Sequence, residues 1–198
     1  MTWIQTNSGH RFDFKNLSHE AVHVRDIAHA LSHVCRFVGH TRVFWSVAQH
    51  SLLTSYLVPN PFALEALLHD ASEAYCQDIP TPLKALLPDY MAIEDSVDRL
   101  VREVFNLPPS KSPEVKRADM MALAMEMDAF MGNEVKSTEA YRIGRELLDG
   151  HVQTFGALPP LLTMPAEETK QAFLRRYIHL SDRAKFPAEA GNGVAYAW

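Results

Sequence analysis

The chain has 198 residues, of which 47% are hydrophobic and 22% charged, a composition typical of one globular domain. Nineteen basic and 24 acidic residues give a net charge of −5, which excludes a general nucleic-acid-binding surface. Two cysteines are too few for a disulfide framework, no apolar run is long enough to span a membrane, and the N-terminus lacks a secretory pattern. We therefore predict one domain over residues 1–198, in a cytoplasmic protein without nucleic acid or membrane partners.

The predicted elements begin with a β-hairpin and continue as helices. Strand-like residues 3–6 and 11–14 flank Asn7-Ser8-Gly9, which is a turn signal. Apolar residues then recur with helical spacing. The predicted helices cover residues 24–38, 45–58, 61–76, 89–105, 112–131, 138–149 and 166–183, with a short helix carrying Lys84 between the third and fourth and with Gly39 and Gly150 as helix ends. Residues 186–198 are predicted to be irregular, so the fold class is all-α with a small N-terminal hairpin.

The predicted helix over residues 61–76 carries polar side chains on one face. At 100° per residue from the apolar stripe, His69, Glu73 and Asp70 lie at about 140°, 180° and 240°. Their neighbours on this face are apolar, whereas a solvated face usually carries lysine and arginine. The pattern favours a face covered by something other than water, and an ordinary polar face is the alternative.

Two more polar residues point inward on other predicted helices. His50 falls inside an apolar stripe, where a lone histidine is more often a satisfied core residue than a ligand. Asp119 lies among apolar residues, and a buried carboxylate needs a partner because its desolvation costs free energy. Together, His50, His69, Asp70 and Asp119 offer two imidazoles and two carboxylates, which suit one divalent transition ion such as Co, Mn or Zn.

Other candidate ligands have weaker patterns. His19 with His23, and His29 with His33, have i, i+4 spacing but lack the adjacent glutamate of a metalloprotease motif, so a metal role is not favoured. Glu126 shares the helix face of Asp119, where it could either support a metal ligand or have a purely structural role, and the structural role is favoured.

The inward residues occur in an order that is shared with a known superfamily. A histidine, His50, is followed by an adjacent pair in His69-Asp70-Ala71-Ser72-Glu73 and by a distant Asp119. This order resembles the HD-domain metal-dependent phosphohydrolases. With Asp78-Ile79-Pro80-Thr81-Pro82-Leu83-Lys84 added, the chain is similar to bacterial 5′-deoxynucleotidases, a branch that includes phage dATP triphosphohydrolases. The segment Cys35-Arg36-Phe37-Val38-Gly39-His40-Thr41 resembles the phage-type members, and the resemblance covers about residues 24–130.

The resemblance implies an HD-domain helical bundle and a role for each matching residue. His50, His69, Asp70 and Asp119 would hold the metal, and Glu73 would orient or activate the attacking water. A group of this kind acts as a general base when it lies close enough to take the proton of the water.

The resemblance also implies a set of substrate-binding residues. Arg36 and Lys84 would contact phosphate, and Asp78 would bind the deoxyribose. Phe37 stands where the deoxynucleotidases have tryptophan, so the wall for sugar or base is altered. The alternatives without substrate binding are that Arg36 pairs with a surface acid, that Lys84 is solvated, and that Asp78 caps the turn before Pro80.

The expected activity is hydrolysis of deoxyribonucleotides, with a preference for a dATP-like dNTP that yields deoxynucleoside and triphosphate. The alternative is a 5′-deoxynucleotidase that hydrolyses dNMP to deoxynucleoside and phosphate. Hydrolysis of cyclic nucleotides or guanosine tetraphosphate, and a degenerate HD module that only binds, are more distant alternatives. A triphosphate substrate would bring further divalent ions on its phosphates. We also expect a homo-oligomer, either a dimer or a hexamer, located in the host cytoplasm if the protein is phage-encoded.

Overall fold

The computed structural model describes residues 1–185, so the segment predicted to be irregular, residues 186–198, lies outside the described part. Strands β1 (Trp3–Gln5) and β2 (Arg11–Asp13) pair antiparallel, and Gly9 in the turn has a φ of +89°. Phe12 of β2 is fully buried, and its ring stacks on Tyr75 with the ring centroids 4.0 Å apart. The predicted hairpin is confirmed.

Helices account for 65% of the residues and strands for 4%, which confirms the all-α prediction. The helices are α1 (Val24–His33), α2 (Val47–Tyr56), α3 (Ala63–Leu68), α4 (Glu73–Cys76), α5 (Thr81–Lys84), α6 (Pro88–Val104), α7 (Pro113–Phe130), α8 (Glu139–Phe155) and α9 (Ala166–Lys185). Short 3-10 turns occur at His19–Ala21, Arg36–Gly39, Asn60–Phe62 and Asn133–Ser137. Within residues 1–185, none of the helices has the length and apolarity needed to cross a bilayer.

The first predicted helix was too long. The observed helix α1 ends at His33, because the next residues pair their backbone with the segment around the start of α2 instead of continuing the helix. Val47 N–H donates to the Val34 carbonyl at 3.0 Å, and Arg36 N–H donates to the Trp45 carbonyl at 2.9 Å. These two hydrogen bonds hold Arg36 beside the start of α2.

The helix predicted over residues 61–76 was also wrong in its middle. The structure has α3 and α4 there, separated by tight turns at residues 69–72. Ala71 N–H donates to the Leu68 carbonyl and Glu73 N–H to the Asp70 carbonyl, each at 3.0 Å. These i to i+3 hydrogen bonds tighten the chain where the predicted metal ligands lie.

Helix α8 continues through Gly150, which was predicted to end it. The helix ends instead at Gly156, whose φ of +82° is left-handed and whose N–H bonds the Val152 carbonyl at 2.8 Å. A glycine inside a helix costs only about 1 kcal/mol relative to alanine, and packing overrides it. Here Leu148 is buried in the core and Gly144 lies directly against Met120 of α7.

The hydrophobic core surrounds α2, in which every residue is buried. Helix α9 covers one side with Phe173 and Leu180, and the Arg176 guanidinium hydrogen-bonds Ser55 and lies 4.0 Å from the ring centroid of Tyr56. Because α2 is central, a polar side chain on it lies inside the protein. The prediction of one domain over residues 1–198 extends past the described residues and stays a prediction.

Candidate metal centre

Three of the four predicted metal ligands have their donor atoms close together. His50 comes from α2, His69 from the turn after α3, and Asp119 from α7. Asp119 Oδ1 lies 3.0 Å from His50 Nε2 and 3.8 Å from His69 Nε2. One donor atom from each residue lies within 4.8 Å of the other two, which is a spacing that could hold a metal ion.

The fourth predicted ligand, Asp70, lies beside the same imidazoles. Its Oδ2 is 3.1 Å from His69 Nε2 and 3.7 Å from His50 Nε2. Its Oδ1 accepts a hydrogen bond from Lys111 Nζ at 3.0 Å. The place of Lys111 in the site could not be predicted from the sequence, because a loop residue carries no periodic signal that shows where its side chain points.

The two histidines direct the same nitrogen, Nε2, towards the carboxylates. His69 Nδ1 lies 2.7 Å from the Ala66 carbonyl, which can only accept, so Nδ1 carries the proton. His50 Nδ1 lies 2.7 Å from Glu126 Oε1 in the same way. Both Nε2 atoms therefore face the carboxylates, and His69 Nε2 is buried without a hydrogen bond of good geometry. This donor set fits a borderline divalent ion.

Glu126 is fully buried and does more than fill the core, so the structural role favoured from the sequence was too narrow. Besides His50, it accepts hydrogen bonds from Trp45 Nε1 at 2.9 Å and Arg36 Nη2 at 3.1 Å. Burial raises the pKa of Glu126, but Arg36 and His50 outweigh burial and hold it below its ordinary value. A signal was available, because Glu126 lies two helical turns after Asp119 and therefore on the same face.

The electrostatics of the cluster favour positive charge. Burial raises the pKa of Asp119 and Asp70, but the imidazoles, and Lys111 for Asp70, outweigh it and hold both values well below the ordinary one. Burial lowers the pKa of His69, but Asp70 outweighs it, so the pKa is raised. For His50, burial and Arg36 lower the pKa, yet Glu126 and Asp119 raise it to about 10. The ionised carboxylates create a field that a divalent cation would also satisfy.

Glu73, the first residue of α4, is buried beside this cluster. Its Oε1 lies 4.0 Å from Lys84 Nζ, and its Oε2 is buried without a hydrogen-bond partner. Burial, reinforced by Asp70 and Asp78, raises the pKa of Glu73 well above its ordinary value. A carboxylate with a raised pKa and a free oxygen is suited to accept a proton.

Arg36 lies inside the site and not at the surface. Its Nη1 is 3.9 Å from Asp70 Oδ2 and 4.0 Å from Asp78 Oδ2, while the buried Glu126 is its closest partner. The alternative of a surface acid is therefore wrong. Its Nε is buried without a hydrogen-bond partner, and its Nη1 is too far from Asp70 and Asp78 for a hydrogen bond, so the guanidinium has donors left for a ligand.

Asp78 faces Arg36 from the loop before α5. Among the described contacts it makes no hydrogen bond to the turn at Pro80, and α5 begins without a side-chain cap, so the capping alternative gains no support. Burial raises the pKa of Asp78, with Arg36 opposing that effect.

Lys84 and Phe37 complete the set of predicted substrate residues. Lys84 Nζ donates to Glu94 Oε1 at 2.7 Å and is half-buried, so the solvated alternative is wrong. The Phe37 ring centroid lies 5.6 Å from the Arg36 guanidinium carbon. Phe37 and Val38 have left-handed φ values of 53° and 54°, which are strained for these residues and often mark a functional segment.

The histidine pairs with i, i+4 spacing do not build a second centre. His29 and His33 have ring centroids 4.4 Å apart, and His23 stacks instead on His10. Within residues 1–185, only His50, His69 and Asp119 form a group of three such donors close enough to share an ion.

Comparison with known proteins gives relatives but no described activity. No protein-family model matches the chain. The uncharacterized protein YfdR of Escherichia coli (strain K12) is 52% identical over 126 residues, which cover 64% of this chain and 71% of that protein. The chain belongs to the family of YfdR. The uncharacterized protein RCAP_rcc00048 of Rhodobacter capsulatus is 32% identical over 196 residues, or 88% of this chain and 93% of that protein.

The residues brought together in this member of the YfdR family support a definite kind of chemistry. His50, His69 and the two carboxylates offer a cation site, and Glu73 offers a proton acceptor at its edge. Arg36 adds a buried positive charge on the same side. A cation site, a proton acceptor and a guanidinium close together are groups that can act on a phosphate ester.

Proposed function

We propose that the chain is an HD-domain phosphohydrolase that uses one divalent transition ion to hydrolyse the phosphate ester of deoxyribonucleotides. One observation carries this proposal: His69, Glu73 and Arg36 all interact with Asp70, and each has a buried polar atom without a hydrogen-bond partner, namely His69 Nε2, Glu73 Oε2 and Arg36 Nε. Buried polar atoms are rarely left unpaired, so such a cluster indicates a missing ligand. A cation would satisfy the His69 imidazole, a water molecule the Glu73 carboxylate, and a phosphate oxygen the Arg36 guanidinium.

The residues present fit a metal such as Co, Mn or Zn. His50 and His69 offer Nε2, and Asp119 and Asp70 offer carboxylate oxygens. When bound, such an ion would polarise the phosphoryl group and lower the pKa of nearby water. Further divalent ions on the substrate phosphates are part of the proposal for a triphosphate substrate.

Glu73 supplies the base for the attack. Its free Oε2 accepts a proton from the attacking water, and the oxygen of that water forms a bond to phosphorus. The bond between phosphorus and the O5′ oxygen of the sugar breaks, and O5′ takes up a proton from solvent. The raised pKa of Glu73 makes it a stronger proton acceptor than an exposed glutamate.

The remaining residues bind the substrate. Arg36 and Lys84 neutralise phosphate charge, and the planar fork of arginine can bond two phosphate oxygens. Asp78 accepts a hydrogen bond from the 3′-hydroxyl and crowds a ribose 2′-hydroxyl. Phe37 lies against Arg36 and provides a wall for the sugar or base.

Two substrates are consistent with this chemistry, because release of triphosphate from dNTP and of phosphate from dNMP break the same phosphorus–O5′ bond. The similarity of residues 35–41 to phage-type enzymes favours a dATP-like dNTP. The similarity of residues 69–84 to 5′-deoxynucleotidases favours dNMP as the second candidate. A binding module without activity is disfavoured, because the whole ligand set and Glu73 are retained. The homo-oligomer stays a prediction.

The test is product analysis on the eight natural dNMPs and dNTPs with added Co²⁺ or Mn²⁺, separating orthophosphate from triphosphate. We expect metal-dependent release of deoxynucleoside by the wild type and loss of that release in His69→Ala. Lys136→Met, a surface change in another part of the chain, serves as the control and should retain activity. Release of no product from any of these substrates would contradict the proposed function.

A further inference from the structure

Lys111 contacts one carboxylate oxygen of Asp70, and the other residues of the site contact the other oxygen. Asp70 Oδ2 faces the imidazoles of His50 and His69 and the Arg36 guanidinium, whereas Oδ1 binds Lys111 Nζ at 3.0 Å. Lys111 therefore approaches the cation site from a different side than Arg36 does.

The loop that carries Lys111 is fixed on both sides by a buried ion pair. Ser112 N–H donates to Glu65 Oε1 at 2.8 Å, and Arg102 Nη1 donates to the Pro108 carbonyl at 2.8 Å. Glu65 and Arg102 lie 3.7 Å apart, and both are nearly inaccessible to solvent. A buried pair of this kind contributes little net stability, but it can specify geometry. Here it sets the backbone on either side of Lys111.

Lys111 is also the most exposed cation of the site. The exposed fractions of the side chains rise from 11% for Arg36 through 23% for Lys84 to 31% for Lys111. Arg36 and Lys84 have their shortest ion pairs with Glu126 and Glu94, which are not metal ligands. The side chain of Asp119, a predicted metal ligand, is 35% exposed, so the cation site is accessible to solvent, and Lys111 is the most exposed of its three cations.

Asp70, the ion-pair partner of Lys111, is also one of the predicted metal ligands. A divalent ion held by Asp70 would take up the carboxylate charge and repel the Lys111 ammonium. The flexible four-carbon stem of lysine then lets Nζ turn to another anion while the anchored backbone stays in place.

Resting on the proposed phosphohydrolase function, we propose that Lys111 binds the outer phosphates of a deoxynucleoside triphosphate and so makes the site prefer a triphosphate over a monophosphate. The inner phosphate lies at the cation site with Arg36. A chain of phosphates that extends from there to solvent would reach Lys111, the most exposed of the three cations, which lies 3.0 Å from Asp70.

The test measures anion binding without turnover. Isothermal titration calorimetry of the Mn²⁺-supplemented full chain compares inorganic tripolyphosphate with orthophosphate, for wild type, Lys111→Met and Lys111→Arg. Lys136→Met is the matched control, because Lys136 is also ion-paired with an aspartate at 3.0 Å and is 39% exposed. We expect Lys111→Met to weaken tripolyphosphate binding by about ten- to a hundredfold, as loss of a charge-assisted hydrogen bond implies.

The same titrations should leave orthophosphate binding and metal content unchanged in Lys111→Met, and Lys111→Arg should keep most of the tripolyphosphate affinity. Unchanged tripolyphosphate binding, an equal loss for both anions, or loss of the metal would each overturn the proposal. A circular dichroism spectrum like that of the wild type shows that the variant is folded. Failure of the proposed function is distinct, since it would appear as absence of hydrolysis by wild type whatever Lys111 binds.

Discussion

His50 Nδ1 lies 2.7 Å from Glu126 Oε1, and both side chains are fully buried. The carboxylate fixes which nitrogen of His50 carries the proton and leaves Nε2 directed at Asp119, 3.0 Å away. Partners of this kind orient metal-binding histidines and raise their basicity. Glu126 therefore belongs to the candidate metal site, although it would donate no atom to the ion.

Replacing Glu126 tests this relationship. Glu126→Gln should weaken metal affinity by about 10–100-fold, the range typical of such partners, as measured by competition with a chromophoric chelator. Glu114→Gln, on the same helix but paired with Arg117, is the control and should bind metal as the wild type does. Equal metal affinity in both variants would show that His50 does not depend on Glu126.

Glu73→Gln should retain the metal and lose about 10²–10⁴ in turnover rate, because the general base is removed. The pH profile gives an independent check. The base must be ionised, so activity should fall as the pH is lowered through the pKa of Glu73, which burial and the nearby Asp70 raise above the ordinary value. The residual activity of Glu73→Gln should lack this acid limb. If the fall in activity at low pH persists in Glu73→Gln, it comes from the titration of another group.

Asp78→Ala should reduce the preference for deoxyribose over ribose. Loss of a hydrogen bond to a charged group lowers kcat/KM by about ten- to a hundredfold. The comparison is kcat/KM on matched deoxyribo- and ribonucleotides, together with the melting temperature. A variant that melts earlier but keeps its sugar preference would identify Asp78 as a structural residue only.

Two glycines of α8 give opposite predictions for stability. A Cβ on Gly144 would overlap the Met120 carbonyl and lie 2.8 Å from Ala124 Cβ, so Gly144→Ala should destabilise the fold by about 1–3 kcal/mol or more. A Cβ on Gly150 meets nothing within 4 Å, so Gly150→Ala should stabilise it by about 0.5–1 kcal/mol. Urea denaturation measures both, and equal stability of the two variants would contradict this packing of α8 on α7.

The sequence predicted the elements best where periodicity was strong. The predicted hairpin and the predicted helices around His50 and Asp119 were within a few residues of the observed bounds. These helices bring His50 and Asp119 together with His69 in a group that could hold a metal ion. The helix through residue 38 failed because the Val34 carbonyl pairs with Val47, a contact between segments that local spacing does not contain.

The partners of the site were harder to predict than the ligands. Glu126 lay on the right helix face, but its contacts with Trp45 and Arg36 depend on tertiary packing. Lys111 lies in an irregular loop whose direction is set by Glu65 and Arg102, far away in the sequence. Helical angles carry no information about such contacts.

The most direct test of the account is the metal content of the purified full chain after equilibration with Co²⁺ or Mn²⁺ and desalting, measured by inductively coupled plasma mass spectrometry. We expect about one ion per chain in the wild type, as one cluster of two histidines and two carboxylates implies. We expect little metal in His69→Ala and Asp119→Ala, with helicity retained by circular dichroism. A wild type without metal, or a full complement of metal in both variants, would contradict the proposed metal site.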